Sequence, residues 1–392
     1  MVEPMMRSQY CPLCGSEAES VLHLQFNKKM KLPTELEIRH CARDNFLFVG
    51  AGCQSDYDEY YQALANDSYH AEVSSGNARS PIAELQKKHL VAALGGFFGG
   101  ARKVLDFGCG EACLLVELAS DFPSSTFFGF DPGPAAETGS NKAKVLGLDN
   151  LCVLDLKAAA EHGPYDLVIA SHVMEHLLDF DLLHVLNGLL AENGLFYAEV
   201  PDPLQYETRK RREFLYYFDR LHVNHFTPQS LARLATGYGF GYLRHFEYTF
   251  PYRDGGEYPA VGMLFTKGGE TTGVSSPSIL EAVTRYISQE KVRAGKVAGQ
   301  FDAFKAVLVW GCGDNFYRSI QNAGPLSGLR NMVLLDRRPQ EITIGGRKYA
   351  TTDPQEGIRR YAWPIVVTVS ERRQEIIRQI AENDPHRRVF FV

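Results

Sequence analysis

Asp106-Phe107-Gly108-Cys109-Gly110 sets an acid before two glycines spaced one residue apart. A short apolar run, 103–105, leads into it, and 112–119 reads as the first turns of an apolar helix. Strand, tight glycine turn and helix in that order build the ligand-gripping edge of a doubly wound α/β sheet. Glycine suits the turn because a Cβ would obstruct both the sharp bend and a closely approaching ligand. An acid at the turn itself favours a ligand carrying positive charge over a pyrophosphate. A second acid, Asp131, closes the aromatic strand Phe127-Phe128-Gly129-Phe130, where such sheets hold ribose hydroxyls. A third, Asp155, follows the apolar run 151–154. Four histidines flank the fourth and fifth runs, 165–170 and 194–200: His172, His176, His222 and His225. Imidazole is the side chain that takes up a proton near neutral pH.

The other chemically pointed stretch is Cys11-Pro12-Leu13-Cys14-Gly15, a knuckle that aims two thiolates at one metal. Its partner, His40-Cys41-Ala42-Arg43-Asp44, offers a third thiolate and a carboxylate where a fourth would complete the site. Zinc accepts Cys, His and Asp, so Cys11, Cys14, Cys41 and either Asp44 or His40 form a candidate tetrahedron.

Three blocks position these groups. The first, 1–78, is short and polar and carries the knuckle. The second, 79–268, opens with a helix-forming stretch at 83–94 and then alternates strands with helices. After Pro201-Asp202-Pro203 it reads as a long polar helix, and it closes with strands at 242–250 and 261–267. A linker of small and polar residues, 268–277, precedes the third block, 269–392. That block repeats strand, glycine turn and helix in Val309-Trp310-Gly311-Cys312-Gly313, with further strands at 332–335 and 364–369 and a charged helix at 371–382. The repeat is one of architecture, so a structural, Rossmann-like role is expected there rather than a second cofactor site.

At 392 residues the chain can bury two or three cores, and 45% hydrophobic with 22% charged residues is the composition of an ordinary globular protein. A net charge of −6 gives no electrostatic reason to expect nucleic acid. The run Arg209-Lys210-Arg211-Arg212 reads as a solvated face, with a phosphate contact as the functional alternative. No apolar run spans a bilayer, the first ten residues lack a signal-peptide core, and the eight scattered cysteines suit a reducing cytoplasm.

With Asp106, Gly108, Gly110, Asp131 and Asp155 in order, the central block resembles the class I S-adenosylmethionine (SAM) methyltransferases. Ala112 stands where that family commonly has a third glycine. The resemblance implies SAM as cofactor, with Asp131 on the ribose, Asp155 facing the adenine amine, and Ser171 and His172-Val173-Met174-Glu175-His176 beside the methyl donor. The whole chain, in its order of parts, resembles the three-domain sugar C-methyltransferases. Those carry an amino-terminal zinc-binding domain, a SAM domain and a carboxy-terminal Rossmann-like domain, and they act on nucleotide-linked keto-deoxysugars. The family's catalytic segment, approximately Asp-x-Ile-Tyr-His-Glu-His, reads here Asp219-Arg220-Leu221-His222-Val223-Asn224-His225. His225 thereby falls on the base, while His222 and Asn224 depart from the family's tyrosine and glutamate. A carbon acid beside a ketone needs both a base and donors for its enolate, which His222, Asn224 and His172 offer. His176 is assigned to packing beneath its loop. The implied substrate is a nucleotide-linked sugar held between the central and carboxy-terminal domains, with an O-methyltransferase as the alternative enzyme. A binding protein that kept SAM and lost the chemistry is the alternative outside enzymes.

Overall fold

The computed structural model describes residues 9–63, 80–209, 213–251, 256–269, 273–301, 303–369 and 372–392. Lys210, Arg211 and Arg212, which make up most of the basic run, lie outside them, as do parts of the 268–277 linker and the start of the 371–382 helix.

The chain begins with an antiparallel meander of β1 (Glu19–Gln25), β2 (Glu35–Cys41) and β3 (Phe46–Val49), followed by α1 (Gln54–Ala63). Helix α2 (Pro81–Leu94) starts where Ser80 accepts the Ala83 amide and Pro81 supplies a preset φ. Then come β4 (Lys103–Phe107), α3 (Cys113–Asp121), β5 (Thr126–Phe130), α4 (Ala135–Leu146), β6 (Leu151–Leu154), α5 (Leu156–His162), β7 (Tyr165–Ser171), α6 (Leu182–Leu189) and β8 (Leu190–Pro201). A two-residue strand β9 (Asn224–His225), α7 (Pro228–Gly237), β10 (Phe240–Pro251) and β11 (Glu257–Lys267) complete the middle of the chain.

The central sheet runs β10-β11-β8-β7-β4-β5-β6. Strands β4 to β8 are parallel, and β11 is inserted antiparallel to β8 on one side and β10 on the other. Successive strand residues face opposite layers, so Val104, Phe127, Leu167 and Ile169 pack with α2 and α3 residues Leu90, Leu115 and Leu118. Their neighbours Leu105, Phe128, Val168 and Ala170 pack on the other face with Leu183, Leu186 and Leu231 of α6 and α7. The chain order reverses between β4 and β7, and it is outside that crevice that a doubly wound sheet binds its ligand.

The carboxy-terminal part holds α8 (Ile279–Ala298), β12 (Val307–Trp310), α9 (Asp314–Ser319), β13 (Met332–Leu335), the hairpin β14 (Glu341–Ile344) and β15 (Arg347–Ala350), α10 (Pro354–Arg360), β16 (Ile365–Val367), α11 (Arg373–Asn383) and β17 (Val389–Phe391). Its sheet, β13-β12-β16-β17, is parallel throughout.

Two features differ from the sequence reading. The stretch after Pro203 forms a 3-10 turn, Pro203–Thr208, in place of a long polar helix. The described residues that follow are drawn into the interior: Phe214, Leu215, Tyr217 and Phe218 are buried, and Glu290 of α8 accepts the Leu215 amide. Strand β9, moreover, joins the amino-terminal sheet, pairing Asn224 with Phe48 and His225 with Leu47. The guanidinium of Arg220, 1% exposed, binds Asn27 at 2.7 and 3.1 Å and Asp314 at 2.5 and 3.3 Å, and lies over the Phe26 ring. One buried side chain thus joins all three blocks.

Candidate active site

A cavity of about 550 Å³ opens at the carboxyl ends of β4, β5 and β7. Its floor is the β4–α3 turn, and both glycines there need their freedom. Gly108 has φ +81°, and a Cβ would come 2.5 Å from Val173 Cγ2; Gly110 has φ +53° and faces open space. Ala112 also sits in the left-handed region, at φ +55°, and a Cβ on Gly139 of α4 would meet its methyl group at 2.9 Å. The missing third glycine is therefore accommodated by a glycine on the neighbouring helix.

Asp131 lies in the wall and fastens it. Its Oδ2 accepts the Gly110 amide and its Oδ1 the Gly133 amide, each at 2.8 Å. Each carboxylate oxygen retains lone-pair capacity for a ligand hydroxyl. Asp106 lies beneath the turn, 3% exposed; burial, with the charges of Asp131 and Glu199, lifts its carboxyl to about 7. Asp58, Glu111 and Glu137 add carboxylates to the wall, Glu111 being paired with Lys142 at 2.6 Å. An open glycine floor, a hydroxyl acceptor and an acidic surround fit adenosyl ribose joined to a sulfonium cation. Asp155 instead caps α5, accepting the Ala158 amide at 2.8 Å, and does not line the cavity.

On the β7 side His172 adopts a left-handed backbone, φ +55°, which concentrates strain at the cavity edge. Its Nδ1 lies 2.9 Å from Glu175 Oε1 and its Nε2 3.2 Å from Glu199 Oε1. Burial pulls this imidazole down, but the two carboxylates outweigh it and raise it to about 10. His172 is accordingly a clamped imidazolium. Glu199 is the hub of the cluster: Ser171 Oγ donates to it at 2.8 Å and Tyr197 Oη at 3.0 Å, and Tyr197 also meets Tyr248 Oη. Ser171 thus serves Glu199 and does not line the cavity.

His176 is not hidden under its loop as expected. It lines the cavity, with Nδ1 2.9 Å from both Tyr61 Oη and Leu221 O. The His222 ring lies 5.0 Å away, tilted by 37°, with its Nδ1 3.0 Å from Asp219 Oδ2. Burial lowers His222, but Asp219 outweighs it, and the net shift is upward.

The base expected at His225 needs correction. That ring is 2% exposed, bonds Tyr206 Oη at 3.1 Å and lies outside the cavity wall. Burial, with the neighbouring His222 charge, depresses it to about 3, which makes it a weak proton acceptor. Asn224 is also reassigned, since its Nδ2 donates to Met174 O and Leu177 O at 2.8 and 2.7 Å, holding the 174–177 turn. Asp219 and Tyr61 are the participants that motif reading left without a role. Glu199 carried a sequence signal as a fallback base, a lone acid near the end of an apolar strand, Tyr197-Ala198-Glu199-Val200.

Cys11, Cys14, Cys41 and Asp44 converge, their ligand atoms all within 4.8 Å of one another. His40 turns away to Glu19 at 3.0 Å, so the geometry favours Asp44 as the fourth donor. Three buried or half-buried sulphurs and a carboxylate on Arg233 suit a divalent zinc ion by donor chemistry.

The cavity's wall on its open side comes from Gln54, Asp58 and Tyr61 of α1; among the described residues nothing beyond 268 lines it. The expected sugar site between central and carboxy-terminal domains is therefore not the cavity seen here.

A glycine-floored, acid-walled crevice at the reversal of a doubly wound sheet is a layout suited to a nucleoside ligand. Residues 78–245 match the family described as a methyltransferase domain. Over 76 residues the chain is 33% identical to release factor glutamine methyltransferase of Rhodospirillum rubrum. That match covers 19% of this chain and 23% of the relative, so the chain spans under a quarter of the relative's length. Among solved structures, magnesium protoporphyrin IX methyltransferase of Synechocystis PCC 6803 with bound S-adenosylhomocysteine aligns at 16% identity. It covers 55% of this chain and all of that one, with a TM-score of 0.41. Coclaurine N-methyltransferase aligns at 15% identity over 47% of this chain and 72% of that one, TM-score 0.37. Residues 78–245 thus match a methyltransferase domain, and the central sheet has the doubly wound, Rossmann-like fold. No described helix is long and apolar enough to cross a membrane.

Proposed function

We propose that the chain transfers a methyl group from SAM to a nucleotide-linked deoxysugar, at the carbon beside a ketone. The observation that supports this reading best is the acid-walled cavity over Gly108 and Gly110, bordered by an imidazole cluster. Bound SAM supplies an electrophilic methyl group on a sulfonium. Asp131 holds the ribose hydroxyls, and the surrounding carboxylates offset the cofactor's charge. Methyl transfer is an in-line displacement, so positioning and water exclusion supply most of the acceleration. The acceptor must also lose a proton, and the cluster of Glu175, His176 and His222, with His176 on the cavity wall, promotes that loss in place of His225. His172 fixes Glu175 for that task. Hydroxyl methylation is the second reading, favoured by His222 and Asn224 where the C-methyltransferases have tyrosine and glutamate. The division into 1–78, 79–268 and 269–392, a structural zinc on Cys11, Cys14, Cys41 and Asp44, and a reducing cytoplasmic setting belong to the same proposal.

The test is a screen of nucleotide-sugars with SAM, the methylated atom being located by NMR. General-base loss should lower turnover roughly 10²–10⁴-fold in His176→Gln, while His225→Gln keeps most of it. Absence of measurable SAM or S-adenosylhomocysteine binding by calorimetry would overturn the assignment.

A further inference from the structure

Glu175, His176 and His222 bring one ligand atom each to within 4.8 Å of one another. Their other polar atoms are already committed. Glu175 is fully buried; its Oε1 meets His172, and its Oε2 has no hydrogen-bond partner among the described residues. His176 Nδ1 faces the Leu221 carbonyl at 2.9 Å, an acceptor, so this nitrogen carries the proton and Nε2 keeps its lone pair. His222 Nδ1 faces the Asp219 carboxylate at 3.0 Å, which fixes the same tautomer. Two imidazoles and a buried carboxylate are thus gathered at ligand distance. An unpartnered carboxylate oxygen in a buried site is costly unless a cation satisfies it.

We propose that these three side chains bind a divalent transition-metal ion in the cavity wall, and that the ion's remaining positions take an oxygen of the methyl acceptor. Two imidazoles and one carboxylate suit manganese, iron, cobalt or zinc and leave coordination positions open. The supporting shell has the form that orients metal-bound side chains: a carbonyl behind His176, a carboxylate behind His222 and the His172 ring behind Glu175. His176 and Leu177 line the same cavity as His172 and Asp131, so an acceptor held there would share it with the methyl donor. A hydroxyl or ketone oxygen bound to such an ion would be polarised, so that its proton, or that of the adjacent carbon, would pass more easily to solvent, the imidazole lone pairs being taken by the ion. The role at the acceptor rests on the methyltransferase reading above; the ion site does not.

The site is distinct from the cysteine cluster, and manganese separates the two because it prefers nitrogen and oxygen donors over thiolates. The experiment titrates Mn²⁺ into the full-length protein and follows free ion by EPR, with S-adenosylhomocysteine binding measured on the same samples. One Mn²⁺ per chain is expected, weakened at least tenfold in His222→Ala and His222→Gln while S-adenosylhomocysteine affinity is kept. Wild-type protein should also show ¹⁴N couplings from two imidazoles in the Mn²⁺ ENDOR spectrum, a readout that needs no variant to fold. Absence of Mn²⁺ binding, binding unchanged in both variants, or a spectrum without imidazole nitrogen would each overturn the proposal and leave a shared proton at this cluster. Failure of the methyltransferase reading would appear separately, as lost S-adenosylhomocysteine binding in the wild type with Mn²⁺ binding intact.

Discussion

Removing the Asp131 carboxylate should do two measurable things, because the group has two duties. It ties the Gly110 amide of one turn to the Gly133 amide of the next at 2.8 Å each, and it faces the cavity where ribose hydroxyls are proposed to bind. Hydrogen bonds to a charged partner contribute about 1.5–3 kcal/mol each. Cavity water can resolvate the freed amides in Asp131→Ala, so the stability loss without ligand should total about 1.5–3 kcal/mol rather than twice that. The loss of hydroxyl contacts adds a separate affinity penalty of about 1.5–3 kcal/mol, or roughly 10- to 150-fold in Kd. Asp131→Asn should fall between, since its amide keeps one acceptor oxygen but turns a donor toward the second backbone N–H. Urea unfolding of the ligand-free protein and calorimetric titration with S-adenosylhomocysteine separate the two effects. An affinity within twofold of wild type in Asp131→Ala would refute the ribose contact, and an unchanged unfolding free energy would refute the fastening role.

Asp106, with a folded-state value of about 7 against the ordinary 3.8, holds a proton between those limits that the unfolded chain has released. Its contribution to stability should therefore be full below about pH 4 and fade as pH rises through 7, by roughly 4 kcal/mol at most; urea midpoints across that range, compared with Asp106→Asn, check the sign. A bound sulfonium favours the carboxylate, so SAM binding near pH 7 should release a proton, read from calorimetry in buffers of different ionisation enthalpy. Protein purified without chelator should contain one equivalent of zinc, and stripping it should lower the thermal midpoint and loosen the 222–225 segment through the β3–β9 pairing; a folded, metal-free amino-terminal sheet would refute this. Gly110→Ala should cost about 1–2 kcal/mol for its positive φ alone, and Gly108→Ala about 1–3 kcal/mol more, because its Cβ would strike Val173; denaturant melts showing equal losses would refute the contact argument.

The parts legible in sequence were those governed by local chemistry. Apolar runs ending in Asp106, Asp131 and Asp155 fall at strand ends because burial and turn formation act within a few residues. The knuckle's ligand spacing likewise brings Cys11, Cys14 and Cys41 together. Less legible was anything decided by distant partners. His225 had the right motif position, yet pairing with Leu47 and contact with Tyr206 draw it into the interior. His176 had the pattern of a packed residue but borders the cavity, where Tyr61 from α1 meets it. Nor could spacing show that Ala112 is tolerated because Gly139, on the next helix, leaves room for its methyl group.

The junction at Arg220 bears on how such a chain can be inherited. Its guanidinium is satisfied only when Asn27 from the first block and Asp314 from the third are both in place. Asp219 just before it and His222 two residues after it pair beside His176. Exchange of either flanking block for one from another protein would leave a buried cation without part of its partner set, next to the groups that handle the acceptor. The three blocks are therefore interchangeable in outline but not in practice. A recombinant that kept the central sheet alone would keep the glycine floor of its crevice and lose both the α1 wall and the frame around Arg220.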